Sequence, residues 1–279
     1  MTMKNLLQQG VQKLQEAQVA EADLDAMYLL EHVFGIKRMD FLLDPQREVS
    51  EEQEAEYLQK VSLRATHVPL QHIIGSQEFM GFEFWVNEHV LIPRQDTEVL
   101  VEEVAKIAEG KRVLDVCTGS GCIILSLCKL RHLSKAVGVD LSPEALQVAR
   151  ENGRGLECDV TFLESDLFTE VTGTYDIIVS NPPYIETHVI EGLMEEVREH
   201  EPRMALDGGA DGLRFYRNIV EQSVEYLSDD GYLCFEIGYN QGEDVRSLME
   251  QRGFDQCRII KDLAGLDRVV MGHWSEEHG

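Results

Sequence analysis

Residues 181–184 read Asn181-Pro182-Pro183-Tyr184 and follow directly on the apolar run Asp176-Ile177-Ile178-Val179-Ser180. Proline fixes φ, lacks an N–H and holds the residue before it extended. Two prolines at the end of a strand therefore make a rigid mouth with carbonyl groups free to accept hydrogen bonds. Asn181 adds a side-chain carbonyl, and together with the Pro182 carbonyl it would take both hydrogens of one -NH2 group. An amide or aniline-like nitrogen is a poor nucleophile because its lone pair is delocalised. Fixed acceptors orient such a nitrogen and favour the charge that develops on it. Tyr184 would pack its ring against the planar group that carries the nitrogen. Asn181, Pro182 and Tyr184 are thus candidate catalytic residues, and with Pro183 they form a candidate substrate site. The plain alternative is a proline-rich turn that only ends a strand.

A second run supplies a place for a cofactor. Val113-Leu114-Asp115-Val116 leads into Cys117-Thr118-Gly119-Ser120-Gly121 and then an apolar helical stretch. Glycine lets backbone approach a ligand closely, and a helix start offers free N–H groups and the positive end of its dipole. A carboxylate such as the methionine end of S-adenosylmethionine suits that place. Asp140 ends the next strand, where one carboxylate can accept two hydrogen bonds from a ribose diol. Helix capping there falls to Ser142, with Pro143 at the first helical position. After the third strand, Asp166 would bind an exocyclic adenine amine with Leu167 against the ring; the plain alternative is an ordinary loop acid. Ile123-Ile124 occupies the region of a third glycine, a departure from the dinucleotide pattern that favours S-adenosylmethionine over NAD. With the sulfonium methyl in line with a nitrogen held at Asn181, positioning would supply much of the catalysis.

The elements that must carry these runs are legible as alternation. Strands are expected at 112–116, 136–140, 159–163, 175–180, 231–237, 257–260 and 268–272, with helices at 123–130, 143–152, 213–227 and 243–253. Alternation of this kind predicts an α/β fold, a largely parallel sheet with helices on both faces, the last two strands pairing antiparallel at one edge. Residues 1–75 read instead as a small helical bundle, with Leu6, Leu7, Val11 and Leu14, then Leu24, Met27, Leu30, Val33 and Phe34, at helical spacing. Aromatic residues around Gly81 predict a β-hairpin linker over 76–91, leaving 92–279 as the catalytic domain. The position of Ile92–Glu98 before the first strand would let the run cover the cofactor, with Arg94 available to pair with an acid there; the plain alternative is a hairpin exit and helix start with Asp96 as cap.

The 279 residues carry 51 acidic and 25 basic side chains, a formal net charge of -26. That balance argues against general attraction to a polyanion. None of the six cysteines forms a C-x-x-C pair or a zinc-spaced cluster, so no metal is expected and a reducing compartment fits. No apolar signal region or membrane-length run is evident, which leads to an expectation of a cytoplasmic protein without a membrane partner.

Several further runs carry a resemblance: Pro69-Leu70-Gln71-His72-Ile73-Ile74-Gly75, Glu78-Phe79-Met80-Gly81, Leu91–Glu98, Glu201-Pro202-Arg203-Met204-Ala205-Leu206 and Asp262–Arg268. With the cofactor turn and the Asn181 tetrapeptide, they make the chain similar over essentially its whole length to the HemK/PrmC family, which methylates the glutamine N5 of peptide chain release factors. The resemblance implies a methyltransferase Rossmann-like domain, S-adenosylmethionine as cofactor with S-adenosylhomocysteine as product, and the glutamine of a release factor's Gly-Gly-Gln loop as substrate. It assigns residues 117–121 and Asp140 to the cofactor and Asn181–Tyr184 to the substrate amide, Asn181 bordering both. The N-terminal helices would dock the protein substrate, and a monomer without direct nucleic-acid contact is expected. Cys117 stands where the family usually has glycine, and Gln95-Asp96 replaces a commoner Pro-Glu. Two rival functions share part of this pattern: a nucleic-acid amino methyltransferase with a flipped base in the same mouth, and a binding module that keeps the fold without the chemistry.

Overall fold

The computed structural model describes residues 1–275, and the chain divides into two units: Met1–Ser76 with Met194–His200, and Gln77–Leu193 with Glu201 onward. The first unit holds α1 (Met3–Glu16), α2 (Ala22–Phe34), α3 (Arg38–Leu43), α4 (Glu51–Arg64) and α5 (Leu70–Ile74). Side chains start two of these helices: Thr2 accepts from the Asn5 N–H at 3.3 Å, and Ser50 and Gln53 form a reciprocal capping box. Leu6, Leu14, Ala26, Leu29, Leu30 and Val61 are buried between the helices, and Tyr57 donates its buried hydroxyl to the Ala26 carbonyl at 3.1 Å. Arg64 is buried and pairs with Asp25 at 2.7 Å and with Glu196 at 3.0 Å. Residues 194–200 thus belong with the helical unit, although they lie far from it in sequence.

The second unit begins with the hairpin of β1 (Ser76–Phe79) and β2 (Phe82–Trp85). Phe79 and Phe84 meet edge to face at 5.9 Å and are buried in the core of this unit, so the expected linker is packed structure. Then come α6 (Gln95–Ala105), β3 (Arg112–Val116), α7 (Cys122–Leu130), β4 (Lys135–Asp140), α8 (Pro143–Gly155), β5 (Thr161–Glu164) and β6 (Tyr175–Ser180). After the short α9 (Glu195–His200), which belongs with the first unit, follow α10 (Arg214–Ser223), β7 (Leu227–Glu236), α11 (Gly242–Arg252), β8 (Asp255–Lys261) and β9 (Asp267–Trp274). The seven-stranded sheet has the order β5-β4-β3-β6-β7-β9-β8. The first five of these strands are parallel, and β9 runs antiparallel to both β7 and β8. This is the α/β fold with a helical N-terminal bundle that the sequence implies. Among the described residues, no helix is long and apolar enough to cross a membrane.

The central strands are predominantly apolar because helices cover both faces of a parallel sheet, with the buried Asp115 an exception within β3. Val113 and Ile177 face one core; Leu114, Val137 and Ile178 face the other. From β3 the chain winds outward through β4 to β5, then returns to lay β6 on the other side of β3. That reversal opens a crevice at the carboxyl ends of β3 and β6, where ligands of open α/β sheets bind. Ser180 pins the two ends together by donating to the Val116 carbonyl at 2.5 Å.

Two local expectations are corrected. The helix expected over 213–227 stops at Ser223, and Leu227 opens β7. Helical spacing continues to Leu227, but the Tyr175 N–H donates to the Tyr226 carbonyl at 2.8 Å, so strand pairing overrides the periodicity. Asp96 does not cap α6. Arg94 occupies the cap position with no side-chain bond, while Asp96 lies in the first turn and pairs with Arg268 at 3.0 Å.

Candidate active site

A cavity of about 290 Å³ opens at the crevice, lined wholly by residues of the second unit. The turn after β3 contributes Cys117, Thr118, Gly119 and Ser120; the end of β4 contributes Val139, Asp140, Leu141 and Ser142. Ser165, Asp166 and Leu167 come from the segment after β5, and Asn181 and Pro183 from the segment after β6. Of the residues singled out from sequence, Gly121, Pro182 and Tyr184 do not line the cavity. Gly121 instead caps α7 at φ +79°, where a Cβ would lie 3.0 Å from the Leu125 side chain.

The turn is held by side chains below it. Thr118 donates to Asp115 at 2.6 Å, and the Gly119 N–H donates to Asp140 at 2.8 Å. Gly119 has φ +53° with open space where a Cβ would stand. Cys117 has φ +61°, the conformation that favours glycine and costs other residues about 1–2 kcal/mol. The preference for glycine implied at this position therefore has a backbone cause, and the chain tolerates the strain. Burial pushes the Cys117 and Cys122 thiols well above their ordinary value, so neither is a thiolate nucleophile near neutral pH.

Asp140 accepts from the Ser142 N–H at 2.9 Å as well as from Gly119, one amide to each carboxylate oxygen. A carboxylate has about four lone-pair sites, so acceptor capacity remains for a ligand. Burial raises its pKa, and the amides of Ser142, Gly119 and Leu141 oppose that rise. Ser142 caps α8 by accepting from the Ala145 N–H at 3.1 Å, with Pro143 at the helix start, as the sequence predicts.

At the other end of the cavity, the Asn181 side-chain NH2 donates to the Thr97 hydroxyl at 3.3 Å. Its carbonyl oxygen is left for another donor. Tyr184 turns its hydroxyl to Glu236 at 3.4 Å, and Tyr216 donates to the Glu236 backbone carbonyl at 2.9 Å. Glu236 is 1% exposed and Thr97 2%, so a buried polar group underlies the Asn181 run. Arg94 forks onto both oxygens of Glu201 at 2.7 Å, and Arg268 bridges Asp96 and Asp262 at 3.0 and 3.1 Å. The sequence runs around residues 91–98, 201–206 and 262–268 thus meet as paired charges. Thr97 and Glu236 are the residues sequence reading missed. Thr97 lies within a run already singled out, whereas Glu236 carries no local signal beyond a lone acid ending an apolar strand.

Burial pushes the Glu236 carboxyl from 4.5 up to about 7, against the Thr97 hydroxyl and the charge of Arg268, which pull it down. An acid with a raised folded-state pKa stabilises the fold below its unfolded value, and that contribution is lost as pH rises through the folded value. Relative to Glu236→Gln, the wild type should therefore lose about 3 kcal/mol of unfolding free energy between pH 4.5 and about 7. Urea unfolding of both proteins across this range checks it; parallel pH profiles would refute the buried, titrating Glu236.

Two family models match the chain: the PrmC N-terminal domain over residues 5–75 and the methyltransferase small domain over residues 94–210. A release factor glutamine methyltransferase of Clostridium botulinum is 40% identical over 278 residues, covering 97% of this chain and 98% of that protein. Its counterpart in Geobacter sulfurreducens is 43% identical over 261 residues, 93% of this chain and 92% of that protein. A methyltransferase structure from Pyrococcus furiosus shares the fold at 15% identity, with a TM-score of 0.53 over 70% of this chain and 90% of that one.

Proposed function

Because the chain belongs to the release factor glutamine methyltransferase family, we propose that it moves a methyl group from S-adenosylmethionine to the side-chain amide nitrogen of glutamine in the Gly-Gly-Gln loop of a release factor. The observation that carries this reading is the Asn181 side chain, which lines the cavity with its NH2 tied to Thr97 and its carbonyl left over. A glutamine amide needs such an acceptor, and a carbonyl is what Asn181 has to offer.

The residues of the cavity fit S-adenosylmethionine. Gly119 leaves open space beside the turn where a ligand's carboxylate would sit, Asp140 keeps lone pairs for a ribose diol, and Asp166 and Leu167 line the same cavity, where they would take adenine. When bound, the cofactor supplies an electrophilic methyl on a sulfonium. The Asn181 carbonyl would accept one amide hydrogen and hold the nitrogen in line, whereas Pro182, expected from sequence to take the other, does not line the cavity. That acceptor would favour the positive charge that develops on the amide nitrogen when it takes the methyl group. One N–H proton leaves afterwards, so no strong base is required.

Purified protein, S-adenosylmethionine with a labelled methyl and a purified release factor test the reading. Label should enter the release factor at a rate little changed by moderate salt. Label in tRNA, rRNA or DNA with none in release factor would replace the reading with the nucleic-acid one. The proposal includes a monomer working in the cytoplasm, and a docking role for the helical unit. Deleting residues 1–75 should leave cofactor affinity unchanged and raise the Michaelis constant for whole release factor. A folded truncated protein, verified by circular dichroism, that methylates release factor as well as before would remove the docking role.

A further inference from the structure

Two arginines line the cavity, and they differ. Arg94 commits its guanidinium to both oxygens of Glu201 at 2.7 Å, whereas the Arg214 side chain makes no hydrogen bond and no ion pair among the described residues. Arg214 is exposed at the start of α10, with only the ring of its neighbour Phe215 against it at 4.9 Å. Acids stand close by in sequence and turn elsewhere. Asp207 accepts from the Thr187 hydroxyl at 2.6 Å and the Gly209 N–H at 3.0 Å, and Asp211 pairs with Arg217 at 2.5 Å. A guanidinium carries five N–H donors in a planar fork and no acceptor. In a chain of net charge -26, these donors are left facing whatever enters the cavity.

The backbone of Arg214 is registered against the Asn181 run. The Ile185 N–H donates to the Leu206 carbonyl at 2.9 Å, and the Gly208 N–H donates to the Ile185 carbonyl at 2.8 Å. A Cβ on Gly208 would lie 2.7 Å from the Tyr184 Cα, so glycine is required for this approach. The Gly208 carbonyl in turn accepts from the Arg214 N–H at 3.1 Å. Gln241 ties the two segments together, donating to the Tyr184 carbonyl at 3.1 Å and the Gly212 carbonyl at 3.4 Å. Arg214 therefore follows the segment beside Tyr184, and not the turns after β3, β4 and β5 that would hold the cofactor. We propose that Arg214 is a substrate-binding residue, donating to main-chain carbonyls of the release factor's Gly-Gly-Gln loop. The loop's glycines have no side chains, so their peptide groups are the only polar handle they offer. A charged, planar set of donors suits those carbonyls.

The proposal rests on the release factor as substrate, so the wild-type assay comes first: absence of methyl transfer there fails that reading, and this proposal falls with it. Given transfer, calorimetry measures release factor binding to the S-adenosylhomocysteine complexes of wild type, Arg214→Ala and Arg214→Lys. Single-turnover rates at saturating release factor and thermal melts accompany it. Arg214→Ala should weaken release factor binding and raise its Michaelis constant by roughly tenfold, the lower end for hydrogen bonds from a charged group. Affinity for S-adenosylhomocysteine, the melting temperature and the saturated rate should stay near wild type, because binding shared by ground and transition states acts on the Michaelis constant. Arg214→Lys should fall between the two, since an ammonium keeps the charge and loses the fork. Alanine in place of a loop glycine of the release factor shifts the main chain, so it should cost the wild type more affinity than it costs Arg214→Ala. Unchanged release factor affinity in folded Arg214→Ala overturns the proposal. So does a loss confined to S-adenosylhomocysteine, which would assign Arg214 to the cofactor. An Arg214→Lys variant equal to wild type, or a glycine change that costs both proteins alike, overturns it too.

Discussion

Asn181→Ala should bind S-adenosylmethionine with nearly wild-type affinity and yet transfer methyl roughly 10²–10³ times more slowly, the scale for losing one preorganised group that acts on developing charge. Alanine keeps the backbone of the turn, which Pro182 and Pro183 still fix, and removes the side-chain carbonyl of Asn181 from the cavity. The loss should appear in single-turnover methyl transfer, because the interaction matters most as nitrogen attacks carbon. Asn181→Asp keeps an acceptor but replaces the NH2 that Thr97 receives with a second oxygen. It would place a new carboxylate close to the buried Glu236, so it should not rescue the alanine variant. Single-turnover rates equal to wild type would make Asn181 structural. A loss lying wholly in cofactor affinity would assign it to the cofactor site.

The second large effect is expected at Asp140. Its Ala variant should weaken cofactor binding by about 1.5–3 kcal/mol, the range for a hydrogen bond to a charged group. Part of that loss has a second origin in the structure, since Asp140 also accepts from the Gly119 amide at 2.8 Å and so holds the turn. A double cycle separates the two. Wild type should bind a 2′-deoxy form of S-adenosylhomocysteine less well than the parent compound, whereas Asp140→Ala should bind both alike. Unchanged affinity in the variant, or equal sensitivity of both proteins to the missing hydroxyl, would rule out the ribose role.

The strands that frame the site were readable because each is buried on both faces and so is written as an apolar run. Val113–Val116 and Ile177–Ser180 lie side by side, with Val116 opposite Ser180. The runs that follow them, at Cys117 and Asn181, therefore had to come together once the strand order was known. Asp140 was legible for the same reason, at the end of β4. What could not be read were contacts between segments far apart in the chain. Arg94 and Glu201 are 107 residues apart, and Asn181 and Thr97 are 84 apart. No local pattern announces either pair. The helical period of α10 also ran on past its true end, since sequence shows the spacing of Leu227 but not its pairing with Tyr175. Residues 194–200 contain no sign that they pack with helices near the N-terminus; the Arg64 charge, shared by Asp25 and Glu196, supplies the reason.

The most direct test of glutamine methylation is to locate the methyl group. Release factor is incubated with the protein and S-adenosylmethionine and digested, and its peptides are mapped by fragmentation, beside a release factor carrying Ala in place of the loop glutamine. The arrangement around Asn181 requires one methyl on the side-chain nitrogen of that glutamine and none on the Ala variant. A methyl on any other residue, or equal labelling of the two release factors, would contradict it.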